Sequence, residues 1–263
     1  MTRRNKYFVL WIALFLNQAS LPAQETLRKI ETNAFTTGEK LIFRVHYGFL
    51  DAGEASLTIK DTYDTLGGRL CYHIVGIGKS SGVLDPFFRV RDRYESVIDK
   101  QALVPWLFIR RVDEGGYKIN ETIIFSHAKN TATSEKGTFP IPDNVQDLVS
   151  AFYYARSIDF TNAKVGDVFP IQAFLDNEVI PLNLKFIGRE RIKSKKGYYR
   201  CLKFRPMLQE GRVFKDQEDM TVWISDDKNK IPIRVQAEIL VGSIKMDIAG
   251  YSGLNNPVAL DLK

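Results

Sequence analysis

The stretch Val222–Ile248, VWISDDKNKIPIRVQAEILVGSIKMDI, decides the fold. Its odd positions from Ile231 to Val241 are apolar, and Arg234, Gln236 and Glu238 between them are polar. That two-residue period belongs to a half-buried strand. After Gly242-Ser243 the phase flips to Ile244, Met246 and Ile248. A two-residue type II′ turn centred on Gly242-Ser243 explains the flip, and it predicts the pairs Val241–Ile244, Ile239–Met246 and Ala237–Ile248. Upstream, Ser225 to Lys230 is a polar cluster between two strands, so Asp226 and Asp227 read as turn residues. A solvated tip flanked by Lys228 and Lys230 offers no pocket in which two carboxylates acquire different pKa values, which argues against an acid–base pair.

The same alternation recurs along the chain. Strand-like runs cover Leu41–Gly48, Gly53–Lys60, Leu70–Ile77, Phe87–Ile98, Trp106–Val112, Tyr117–Phe125, Val168–Leu175, Ile180–Gly188, Gly197–Phe204 and Met220–Ile224, most separated by Gly, Asp, Asn or Lys clusters. One segment has helical spacing instead: Val145, Leu148, Val149, Phe152 and Arg156 share a face, and Asp143 or Asn144 is placed to cap its start. A mainly β protein is expected, built as a strongly curved antiparallel sheet or open barrel with one amphipathic helix packed on it. The expected organisation is a single β-rich domain over 24–263. Its first β half spans about 36–138, its helix about 143–157 and its second β half about 165–250.

The first residues read as a secretory signal peptide over 1–23. Arg3, Arg4 and Lys6 form a basic head, Tyr7 to Leu16 an apolar run, and Ala19, Ser20 and Ala23 a small-residue cleavage region. The apolar run is short for a membrane span and no Cys follows it, so neither a transmembrane segment in the mature chain nor a lipid-attachment Cys is expected. Cleavage removes three basic residues and no acidic one, taking the net charge of +6 to +3. Nucleic acid is therefore a poor partner for this exported chain. Periplasm or outer-membrane association is the expected location.

Chemistry-bearing motifs are few. His46, His73 and His127 show no metal-ligand spacing, no G-x-S-x-G elbow occurs and no Gly-rich phosphate loop follows a strand, so no metal and no cofactor are expected. Cys71 and Cys201 are candidates for a disulfide in an oxidising compartment or for two buried thiols. Cys71 and His73 share a strand face, at an offset too long for a nucleophile pair. Arg89, Arg91 and Arg93 alternate along FFRVRDRYES, and Arg110 and Arg111 follow Trp106 and Phe108. Such a row either binds an anionic head group or pairs with carboxylates across strands. Phe43, Tyr47 and Phe152 are candidates for the apolar part of a ligand site.

The blocks GEKLIFRVHYGFLDAGEASLTI (38–59), VRDRYESVID (90–99), DNVQDLVSAFYYAR (143–156) and the opening stretch resemble the recurring blocks of an exported bacterial family, domain of unknown function 3108. More loosely, the second half is similar to the half-barrel of periplasmic lipoprotein carriers. The first resemblance implies an envelope location without an activity, and the second implies lipid binding by analogy of fold. Three functions follow as expectations. A non-catalytic module binding an apolar or amphipathic envelope molecule stands first, an envelope scaffold joining other proteins second, and a hydrolase without a recognisable nucleophile third.

Overall fold

The computed structural model describes residues 27–60, 63–82, 85–194, 197–207, 220–238 and 242–261. The leader expected over 1–23 lies outside them. Eighteen strands and one helix are described. The strands are β1 (Lys40–Tyr47), β2 (Leu50–Ile59), β3 (Asp64–Leu66), β4 (Arg69–Ser80), β5 (Arg91–Asp99), β6 (Pro105–Glu114), β7 (Tyr117–Ser126), β8 (Thr131–Ser134) and β9 (Gly137–Pro140). After helix α1 (Leu148–Ser157) come β10 (Val168–Phe169), β11 (Gln172–Leu175), β12 (Glu178–Pro181), β13 (Asn183–Ser194), β14 (Gly197–Met207), β15 (Met220–Ser225), β16 (Pro232–Glu238), β17 (Ser243–Ser252) and β18 (Leu260–Asp261).

One antiparallel sheet runs through both halves in the order β10-β13-β14-β15-β16-β17-β1-β2-β4-β5-β6-β7-β8-β9. β1 lies between β2 and β17, so the start of the chain joins the two halves. The ends β9 and β10 do not pair with each other, and the sheet stays open. β11 and β12 form a separate hairpin.

Several boundaries differ from the periodicity, each for a local reason. Pro170 has no N–H to donate, and the run expected over Val168–Leu175 breaks there into β10 and β11. The strand expected from Phe87 begins at Arg91. The hairpin after Ala237 has a different register: Ala237 pairs with Ile244 and Val235 with Met246, and the last pair among the described residues is Glu238 with Ser243. Ser243, expected at the centre of the turn, is itself paired, so the two-residue turn on Gly242-Ser243 and the Ala237–Ile248 and Ile239–Met246 pairs are incorrect. Ile239 and Val241 themselves lie outside the described residues. Gly242 has φ +77°, a conformation that favours glycine, and a Cβ there would sit 3.1 Å from the Tyr47 ring.

The helix starts later than its apolar spacing predicts. Gln146 is held in extended pairing with β11 through Gln146 N to Gln172 O and Phe174 N to Gln146 O, so helical hydrogen bonding cannot begin before it. Asp147, not Asp143 or Asn144, is the cap: its Oδ1 accepts from Val149 N and Ser150 N, each at 2.7 Å, while Ser150 Oγ accepts from Asp147 N. Val149 and Tyr153 bury against Ile59, Tyr72, Ile74, Ile98 and Phe108 of the sheet, and Phe174 of β11 completes this cluster. Each such large side chain contributes roughly 1.5–3 kcal/mol by leaving water. A second cluster gathers Leu41, Phe43, Tyr199, Trp223, Ile231 and Ile233, and a third gathers Phe160, Phe186, Leu202, Phe204 and Ile224.

Arg156, expected on the apolar face, is fully buried because Glu39 at the mouth of β1 is buried with it. Two parallel bonds of 2.6 and 2.7 Å join them, and the guanidinium also donates to Ala34 O and Asn229 O. This charge therefore ties helix, first strand and the 225–231 turn together.

Candidate functional site

The strand registers bring small residues together. Phe43 lies opposite Ala55, which lies opposite Gly78, and Val45 lies opposite Gly53, which lies opposite Ser80. Partners directly opposite share a sheet face. That face therefore carries bulk on β1 and almost none on β2 and β4. The result is a cavity of about 520 Å³, within the range of small-molecule sites, lined by Val45, Tyr47, Ala55, Gly78, Phe88 and Ile244 among others. Gly53 is required by backbone contact, since a Cβ would meet Lys79 O at 2.4 Å. Gly78 is not: a Cβ there would touch only Asp92 Cβ at 3.7 Å, so its bareness leaves space and nothing else. Around the mouth, Phe49 and Phe87 are 90% and 87% exposed.

The expected site residues fall in different places. Tyr47 lines the cavity. Phe43 is sealed in the second core cluster, and Phe152 packs beside Tyr153 and over the Arg156 guanidinium. Arg91 donates to Asp85 Oδ1 and Oδ2 at 2.7 and 3.0 Å, and that hydrogen bonding draws the Asp85 carboxyl down to about 2. Arg93 donates to Glu95 at 2.8 Å. Arg89 is exposed next to Phe88 and Val90 of the cavity wall. Carboxylates close in sequence, not across strands, thus account for Arg91, with Asp85 in the segment before β5, and Arg93, with Glu95 two residues on in the same strand, and Arg89 has its charge near Asp85. The residues that create the cavity, Gly53, Ala55 and Gly78, escaped the sequence reading. The available signal was the run of small residues at alternate positions in β2 and β4.

The other reactive groups are structurally committed. Cys71 and Cys201 are free, buried thiols on strands six places apart in the sheet order. Burial pushes the Cys71 thiol up to about 11 and the Cys201 thiol up to about 12. Both ring nitrogens of His73 face carboxylates, Asp64 at 2.8 Å and Glu95 at 2.7 Å, so it is turned away from any role with Cys71. His46 contacts Gly48 O and Asp247, and His127 contacts Pro105 O. No cluster of three metal-ligating side chains occurs among the described residues. Asp227 is a turn hub, accepting from Ser225 Oγ, Asn229 N, Lys230 N and Ala259 N. Asp226 makes an exposed pair with Arg189 at 3.3 Å. The aspartate pair is thus a turn.

A β-barrel-like protein of domain of unknown function DUF1849 from Brucella abortus matches with a TM-score of 0.53 at 7% identity, over 83% of this chain and 98% of that one. A Parabacteroides distasonis protein classed as a candidate lipoprotein matches with a TM-score of 0.34 at 11% identity, over 87% of this chain and 100% of that one. A candidate exported protein with a YmcC-like fold from Bacteroides fragilis gives 0.33 at 10% identity, over 86% and 99%. No curated protein matches. Among the described residues no helix is long and apolar enough to cross a membrane. The profile of one family matches residues 42–249, and the chain belongs to that family, the proteins of unknown function DUF3108.

Proposed function

We propose that the chain is an exported, non-catalytic envelope module that holds an apolar or amphipathic ligand in the cavity between β1, β2, β4 and β17. The observation that carries this reading is the 520 Å³ hollow on an otherwise packed sheet face, where Gly78 leaves room that no neighbouring side chain fills. Tyr47, Val45 and Ile244 contact the apolar part, and Arg89 and Arg91 lie nearest its anionic end. Exposed Phe49 and Phe87 extend the apolar surface beyond the mouth, which also suits an interaction scaffold.

Gly78→Leu separates the two. It fills the cavity without a backbone clash, so displacement of a fluorescent fatty-acid probe should fall at least tenfold while the thermal midpoint stays within a few degrees. Undiminished probe binding in a folded Gly78→Leu protein, or no binding by the wild type, would leave the scaffold reading in front. Mass spectrometry of lipids carried through purification identifies the ligand class.

A further inference from the structure

The hairpin of β13 and β14 holds a charge concentration that ligand binding in the cavity does not use. Between Lys185 and Arg205 nine of 21 residues are Lys or Arg, and Glu190 alone is acidic. Nine positive charges against one negative exceed the +6 of the entire chain, so the remainder of the protein is net negative. The pairing register concentrates this charge further. Arg191 lies directly opposite Arg200, and Lys185 opposite Arg205. Like charges at directly opposed positions destabilise a sheet, and a sequence breaks such a local rule chiefly where function requires it.

Alternation places Arg189, Arg191 and Lys193 on one face of β13, and the register puts Tyr198 and Arg200 on the same face of β14. The side chains of Arg189, Arg191 and Arg200 are 45%, 55% and 53% exposed. Compensation is incomplete. Asp261 serves both Arg191, at 3.1 Å, and Arg200, at 2.5 Å, and Lys193 has no ion pair among the described residues. Exposed Tyr198 lies under the Arg191 guanidinium, 4.9 Å from its ring centre. These cations run along the strand, about 13 Å from Arg189 to Lys193, and do not converge on one point as a single-anion pocket would.

We infer that this face of β13–β14 is an electrostatic docking surface for an anionic lipid bilayer. Bilayer phosphates form a dense array that a row of exposed guanidinium and ammonium groups matches without any one contact being fixed. The Ser194–Gly197 end of the hairpin lies at the end of the sheet away from the cavity mouth. Register links Ile244 to Ala237 and Met220 at the mouth end, and Ser225 to Cys201 near the other. A docked molecule therefore keeps its mouth free.

The test is co-sedimentation of the full exported chain with vesicles of phosphatidylcholine, alone or with a quarter phosphatidylglycerol. Binding is expected only to the anionic vesicles and should be lost between about 50 mM and about 500 mM salt. Arg191→Gln with Lys193→Gln should weaken it roughly tenfold or more, while Lys129→Gln with Lys136→Gln on the β8–β9 side should not. Circular dichroism establishes that each variant is folded. Gly78→Leu should bind vesicles as the wild type does, which keeps this proposal separate from the cavity. Equal binding to neutral vesicles, full binding by the Arg191/Lys193 variant, or capture by a free acidic polysaccharide without vesicle binding would each overturn it.

Discussion

Removing Glu39 should be among the most damaging single changes in this protein. The side chains of Glu39 and Arg156 are 0% and 1% exposed, so Glu39→Ala leaves a guanidinium in the core without its counter-ion. Two charge-assisted bonds are lost, and only the Ala34 and Asn229 carbonyls and the rings of Phe35, Phe152 and Tyr153 remain around the charge. Breaking one side of a buried pair in this way costs about 3–5 kcal/mol, a large part of the roughly 5–15 kcal/mol by which a domain is stable. Glu39→Leu with Arg156→Met removes both charges and should recover at least about 2 kcal/mol of that loss. It does not reach neutrality, because the Ala34 and Asn229 carbonyls lose their donor, at roughly 1–3 kcal/mol each where water cannot replace it. Urea unfolding of wild type, Glu39→Leu, Arg156→Met and the double variant gives the coupling energy directly, with Glu39→Ala measured beside them. A Glu39→Ala cost below about 1 kcal/mol, or additive single effects, would refute the buried-pair reasoning.

Three further outcomes are expected. Burial pushes the Asp147 carboxyl from 3.8 up to about 6, against the hydrogen bonds from Ser96, Ser150 and Val149 that favour its charge. The folded state thus holds this proton between about pH 4 and pH 6 when the unfolded chain has lost it. The associated stability, on the order of 3 kcal/mol, is fully present below about pH 4 and lost as pH rises through 6. Asp147→Asn keeps an acceptor for the helix cap and should abolish that contribution, so the variant-minus-wild-type stability should rise from pH 4 to pH 7; a flat difference in chemical denaturation would contradict it. Asp227→Asn should cost about 1–2 kcal/mol, because an amide NH2 replaces one of two oxygens that face donors, three at Oδ1 and Ala259 N at Oδ2, whereas Asp226→Asn should change the unfolding midpoint little. Gly242→Val should cost on the order of 1 kcal/mol or more in the same assay, from its positive φ and the Tyr47 contact.

Local periodicity in the sequence marked most of the long strands, while the short strands β3, β8, β9 and β18 lay outside the expected runs. The Val222–Ile248 hairpin illustrates both its reach and its limit. The observed Ala237–Ile244 pairing differs from the expected Ala237–Ile248 pairing by four residues. A slip by an even number leaves every side chain on its proper face, so an alternating pattern permits either register, and loop length selects between them. The helix was legible for the same reason, from apolar spacing. Its first residue was not, because the pairing of Gln146 with a strand more than 20 residues later fixes where helical bonding begins.

Only the tertiary structure paired Glu39 with Arg156, 117 residues apart. Nothing within either segment marks a charge as buried until its partner is known. The cavity has the same origin. Ala55 and Gly78 are unremarkable in their own strands, and they make a hollow only because strand register sets them beside each other and beside Phe43 and Val45. Periodicity is a property of neighbours along the chain and can be read there. Volume and charge compensation belong to neighbours across the sheet, whose identities depend on register and topology.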